Sequence, residues 1–300
     1  MKLTYFRGSV PNFGDELNTY MWPELLPRGF LDDEDRELFV GIGSIIGSHL
    51  PPDARKIVMG SGYGGYMGTP DLNDGTWDVR FVRGPLTAER FGLAPEKVIC
   101  DSAVLLRAID LPAPARDVGV AFMPHFESLE RGLWKETCAL AGITLIDPTA
   151  PVQTVLAKLK GAKLLVTEAM HGAIVADALR TPWVAVRPIV RDHHLKWRDW
   201  SRALDIDLRV HQLWPTNLLE LHVGMTGRGG GLGRAGRLSR SRIGVLPNKV
   251  LTHLAARRLS DLARVEPQLS PDWAILNVTD RALSAVDALI REARPVRRLA

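Results

Sequence analysis

The stretch KLLVTEAMHGAIVADALRTPWVAV, residues 163–186, decides the fold. Its ends, KLLV (163–166) and WVAV (183–186), are four-residue apolar runs, too short for helices and bounded by Thr, Glu and Pro, so they read as buried strands. Between them 172–180 has the length and the Ala, Ile, Val and Leu content of a helix. Strand, helix, strand in this compass is a βαβ unit, the building block of a parallel sheet. The first strand ends at Glu168, and Met170 and His171 fall at the strand-to-helix corner, the edge where α/β sheets hold ligands. A helix N-terminus disfavours an imidazolium, so His171 is expected to be neutral near pH 7 and able to act as a base. A purely structural histidine is the plainer alternative.

Outward from that unit the pattern repeats. VGVAFM (118–123) and ITLI (143–146) read as strands, with helices at 127–141 and 151–160. Further back, KLTYF (2–6), LFVGI (38–42), KIVM (56–59), VRFV (79–82) and KVIC (97–100) form a second series, with helices at about 15–22, 86–92 and 102–109. LPAPARD (111–117), with two prolines and little periodicity, is the natural linker. The expected organisation is therefore α/β, with one domain over 1–112 and another over 113–205. From 206 to 300 the character changes. TGRGGGLGRAGRLSRSR (226–242) holds five arginines, six glycines and no acid, and reads as a loop. Two amphipathic helices follow, at 249–265 and 271–293, the second with Ser270 as cap and Pro271 in its first turn.

Composition narrows the class. The 300 residues are 46% hydrophobic and 24% charged, ordinary for a globular chain of about two domains. Cys100 and Cys138 are too few for a disulfide framework or a cysteine-rich zinc site and suit a reducing, cytoplasmic setting. No apolar run reaches 18 residues and the start lacks a long apolar region, so neither a membrane span nor a signal peptide is expected. The net charge is +4, but it is unevenly placed: 226–300 carries fourteen bases against six acids, and 1–225 carries 24 against 28. A mildly acidic body must hold any anionic substrate with a few placed residues. The basic tail is expected to dock on an acidic membrane face.

Four further stretches carry candidate chemistry. GSGYGG (60–65) matches a dinucleotide fingerprint, but YMGTPDLNDGTWD follows where that fingerprint requires a helix. Together with GIGSIIG (41–47) it places flexible backbone, Gly43 and Gly62 included, at two strand ends, where amides suit an anion; tight turns account for the same glycines. In NFGDELN (12–18), Asn12 and Asp15 are good caps, Gly14 lets the chain turn, and the position beyond the first strand is a ligand edge. In VRGPLT (82–87), Arg83 leaves a strand into a Gly-Pro turn, with Thr87 as a cap; its guanidinium suits carboxylate or phosphate, or an ordinary salt bridge. VRPIVRDHHLKWRDW (186–200) adds Arg187, Arg191, His193, His194, Lys196 and Arg198, a basic lining or a solvated surface.

The ordered set NFGDELN, GIGSIIG, GSGYGG, VRGPLTAERFGL (82–93), CDSAVLL (100–106) and TEAMHGAIVADALRTPWVAV (167–186) resembles the polysaccharide pyruvyl transferase family over about 1–205, and within it the exopolysaccharide ketal transferases of the succinoglycan type. Ala169-Met170-His171 stands where many members have Arg-Leu-His, and Ser102 where proline is common. The resemblance implies two Rossmann-like domains in a glycosyltransferase-B-like arrangement, with a helical C-terminal extension, and with Arg83 and His171 facing each other across the cleft. It implies phosphoenolpyruvate as donor, a cyclic ketal on a sugar of an oligosaccharide acceptor, free or lipid-linked, and no further cofactor or metal. Arg83 matches the donor-binding arginine, His171 the functional histidine, as base or phosphate contact, and Met170 the residue whose backbone lines the donor pocket. Asp15 would orient the acceptor or act as a second acid/base. Asn12, Gly14, Gly43, Gly62, Glu168 and Arg187 complete the expected binding set.

Two rivals remain open. A nucleotide-sugar glycosyltransferase would share the glycine turns and basic cleft, but would show an acid at the ribose, for which Glu168 lies at the wrong end. A nucleic-acid-binding protein would use the arginine-rich loop, yet 226–242 has no aromatic residue for base stacking, so no nucleic-acid partner is expected.

Overall fold

The computed structural model describes residues 1–65, 67–187, 194–227 and 233–293. They pack as two compact units. The first is Met1–Leu111 with Leu195–Asp207 and the chain from Ser270; the second is Pro112–His194 with Leu208–Leu269.

In the first unit, β1 (Lys2–Thr4), β2 (Glu37–Val40), β3 (Arg55–Met59) and β4 (Trp77–Phe81) lie side by side in chain order, every neighbour parallel. The Leu, Val, Ile and Phe side chains of β2, β3 and β4 are buried, as in a sheet covered on both faces, and Leu3 of the edge strand β1 is partly buried. Helices α1 (Phe13–Leu25) and α2 (Pro85–Arg90) follow β1 and β4, the latter opening with proline in its first turn. The expected strand 97–100 is not one. Pro95 opens a 3-10 turn (Pro95–Lys97), Asp101 caps a 3-10 helix (Ser102–Ala108) by accepting from the Ala103 amide at 3.0 Å, and a single bridge, Val82 to Val98, is left between them. The α-helix expected at 102–109 is therefore a 3-10 helix.

The second unit holds β5 (Val120–Met123), β6 (Thr144–Leu145), β7 (Leu164–Thr167), β8 (Trp183–Val186) and β9 (Val210–His211), all parallel, in the order β6-β5-β7-β8-β9. The chain enters at β5, steps one way to β6 and then returns past β5 to β7. This reversal is a topological switch point, and it lies between the carboxyl ends of β5 and β7. The helix expected over 127–141 is two, α3 (Phe126–Arg131) and α4 (Trp134–Ala141), broken at Gly132, where a Cβ would collide with the Trp134 indole and the Glu220 carboxylate. Helices α5 (Val152–Gly161) and α6 (Met170–Ala178) flank β7.

The stretch from 206 to 300 is not a separate tail. α10 (Val245–Leu262) puts Leu259 and Leu262 into the cluster of Phe122, Trp134, Val166 and Val184. α11 (Asp272–Ala293) packs on the Ser102–Ala108 helix and on β4, with Ile275, Val278, Ala282, Val286 and Leu289 buried. The basic run contributes α7 (His194–Ala203) to the first unit; Arg191, His193 and the His194 side chain lie outside the described residues. The expected loop 226–242 is partly helical. α8 (Leu218–Thr226) ends in it and α9 (Arg234–Arg240) begins within it, because Arg, Ala and Leu are good helix formers that the neighbouring glycines mask in a composition average. Residues 228–232 lie outside the described residues.

Candidate active site

In the first unit the expected residues converge on the carboxyl edge of the sheet. Asn12 occupies the cap position of α1 but does not cap it; its Nδ2 donates to the Asp15 Oδ2 at 2.7 Å. Asn18, one turn on and fully buried, staples α1 to the turn after β2: its Nδ2 donates to the Ile42 carbonyl at 3.0 Å and its Oδ1 accepts from the Ile42 amide at 2.8 Å. Gly41 must be glycine there, since a Cβ would strike the Asn18 amide and the Trp22 ring. Gly43 has a φ of +134°, and a Cβ on it would stand 3.8 Å from the Asp15 Oδ1. Its carbonyl accepts from the Gly62 amide at 2.9 Å, which ties the two glycine turns together. Gly14 is buried in the first turn of α1.

Gly62 is small because Arg83 lies against it; a Cβ would overlap the guanidinium. Arg83 is fully buried and forms the inter-element salt bridge that was one of its two readings. Its Nε donates to Asp199 at 3.1 Å, its Nη1 to the Ser44 hydroxyl at 2.6 Å and its Nη2 to the Tyr63 carbonyl at 3.3 Å. Asp199, from α7, is the residue that sequence reasoning missed. It accepts from the Thr87 amide at 3.0 Å and from the Thr87 hydroxyl at 2.6 Å, so it satisfies the start of α2 from outside. Thr87, expected as the cap, instead relays the Tyr63 amide, which it accepts at 3.1 Å, to that carboxylate.

In the second unit, the switch point between β5 and β7 is where Glu168, Met170 and His171 stand. The Thr167 hydroxyl accepts from the Ala169 amide at 3.0 Å and turns the chain out of β7, and α6 starts at Met170. A Cβ on Gly172 would stand 2.7 Å from that hydroxyl and 2.9 Å from the Met123 sulfur, so glycine seats the first turn of α6 on the strand ends. His171 sits in this turn, half-buried. Glu168 is buried and faces the neighbouring corner. It accepts from the His125 amide and from the Ser128 hydroxyl, each at 3.0 Å, so it ties the turn after β7 to the turn after β5.

His125 thereby joins this edge, two residues beyond β5, with the Glu127 carboxylate 3.7 Å from its Nδ1. Its signal was available: like His171, it follows a strand and begins a helix. Arg187, one residue beyond β8, is exposed at the same edge, its amide bound to the His211 carbonyl at 2.8 Å. Burial, with Arg258 and Arg209 nearby, holds the His211 imidazole below its ordinary range. Behind the edge, burial pushes the Glu220 carboxyl up to about 7, and the Glu168 charge adds to the effect. Among the described residues, no group of three or more His, Cys, Asp or Glu is placed to hold a metal ion.

A parallel α/β unit with a histidine at its switch point, in a chain that also carries a second parallel α/β unit, is a frame for group transfer. The chain belongs to the polysaccharide pyruvyl transferase family, whose model matches residues 27–188, and it is an enzyme of that type. It is similar to the succinoglycan biosynthesis protein ExoV of Rhizobium meliloti (strain 1021), at 35% identity over 318 aligned residues covering 97% of this chain and 99% of the relative.

Proposed function

We propose that the enzyme transfers the pyruvyl group of phosphoenolpyruvate to two hydroxyls of one sugar in an exopolysaccharide precursor, forming a cyclic ketal and releasing phosphate. Family membership and the likeness to a succinoglycan biosynthesis protein support the reaction class. The observation that carries the residue assignment is the switch-point edge, where two histidines and an exposed arginine follow three neighbouring strands, β5, β7 and β8.

The chemistry asks for those groups. Protonation of the enol methylene leaves an oxocarbenium-like carbon that still bears carboxylate and phosphate. One sugar hydroxyl attacks it and loses its proton; the second displaces phosphate by breaking the carbon–oxygen bond, and its proton leaves with the phosphate. His171 takes the hydroxyl proton or contacts the phosphate, and the Met170 backbone lines the donor beside it. Arg187 supplies the fixed cation in the second unit. In the first unit, Arg83 serves the donor by fixing Ser44 and the turns of Gly43 and Gly62, and the Asn12–Asp15 pair with Gly14 orients the acceptor.

Acceptor-dependent phosphate release from phosphoenolpyruvate tests the reading. His171→Ala is expected to lower turnover by about 10²–10⁴-fold while the folded fraction stays unchanged; an unchanged rate would make the histidine structural. Arg187→Ala is expected to raise the donor KM, and Arg187→Lys to restore it only in part, because a bidentate contact is lost.

A further inference from the structure

We propose that the outer face formed by α8, α9 and the first half of α10 docks on an anionic lipid bilayer. The four elements involved, with the 3-10 turn Arg242–Gly244 between the last two helices, pack on one another within the second unit. α10 has two faces. Thr252, Ala255, Ala256, Leu259 and Leu262 are buried, and on the opposite side Leu246, Lys249, Val250, His253, Leu254 and Arg257 recur at helical spacing and are exposed, with Ile243 of the preceding 3-10 turn exposed as well. Large aliphatic side chains stand almost free there: Ile243 is 78% exposed and Leu246 71%, with Met225 of α8 at 80%. Basic side chains lie among them, Arg237, Arg240, Arg242 and Lys249. The forty residues 221–260 contain eight Lys and Arg and no acid. Apolar residues beside cations on one helical face are what an interfacial helix needs, aliphatic groups for the acyl boundary and charges for the headgroups. A second copy of the chain is the poorer occupant, because the face would meet its own positive charge. A nucleic acid is poorer too, since 221–260 has no Phe, Tyr or Trp on which to stack bases. The inference is independent of the donor and of the ketal chemistry.

Flotation of the full chain with phosphatidylcholine vesicles, with and without phosphatidylglycerol, tests it. The protein is expected to float with the anionic vesicles, to stay behind with the neutral ones, and to lose binding as salt rises. Lys249→Gln and Arg240→Gln are expected to weaken partitioning by about fivefold each, and Leu246→Glu by more than tenfold. All three positions are at the surface, and the circular dichroism spectrum should not change. No flotation with anionic vesicles, or flotation indifferent to both Leu246→Glu and the charge removals, overturns the proposal. So does a salt-dependent affinity for duplex DNA that Leu246→Glu leaves intact without vesicle binding, or a dimer in sedimentation that Leu246→Glu dissociates while vesicles are ignored.

Discussion

At the scale of single residues, the sequence was most informative where chemistry and chain neighbourhood coincide. His171 and Met170 could be placed at a strand-to-helix corner because strand, corner and helix are contiguous, and they stand there. Arg83 could only be offered two readings, because its partner Asp199 is 116 residues away on a helix hidden in a basic run. The pair is now the more testable feature. Asp199→Ala leaves a buried guanidinium uncompensated and strips the start of α2 of its acceptor, so unfolding free energy should fall by about 3–5 kcal/mol. A urea titration measures this, and a change under about 1 kcal/mol would mean that the guanidinium finds water instead. His125 shows a different gap: it obeys the same local rule as His171, but its strand was noted without its corner.

At the scale of elements, strands announced by an apolar run were legible, even where the strand itself is short, and the one without such a run was not. β1 to β8 stand within or beside the stretches that their Val, Ile, Leu and Phe content marked, whereas β9 is two residues, Val210 and His211, with no apolar run to announce it. α8 was missed for a related reason: its stability comes from its docking, not from a periodic stripe. Asn217 caps it by accepting from the Glu220 amide at 2.8 Å, and the Glu220 carboxylate accepts from the Trp134 indole at 2.8 Å and from the Thr216 amide at 2.8 Å. That burial has a pH signature. The Glu220 carboxyl is raised from an ordinary value near 4.5 to about 7 in the fold. Below about pH 4 both folded and unfolded chains keep the proton and stability is full. Between about pH 4 and 7 the unfolded chain releases it first, so stability declines by up to about 3 kcal/mol and then levels. Urea midpoints across this range should fall in the wild type and lose that part of the slope in Glu220→Gln; identical slopes would contradict the assignment.

At the scale of the whole molecule, amphipathic stripes revealed that the last helices are half-buried but carried no word of what they are buried against. The chain leaves the second unit for the first at 195, returns at 208 and leaves again at 270, so what looked like an appendage completes both cores. A chain ended after residue 269 is accordingly expected to lose the apolar face of α11 from the first unit and to unfold it, seen as rapid proteolysis within 1–111; a truncated chain as resistant as the full one would contradict this packing. The same long-range construction explains why the catalytic reading needed the family as well as the residues, since the groups it names reach the sheet edges from several widely separated segments. The most direct measurement of that reading is phosphate release from labelled phosphoenolpyruvate with and without an oligosaccharide acceptor, in the wild type and in His171→Ala. Acceptor-dependent release with the label transferred to the saccharide, and its near loss in the variant, is the result expected; nucleotide release from a nucleotide sugar, with phosphoenolpyruvate left intact, would contradict it.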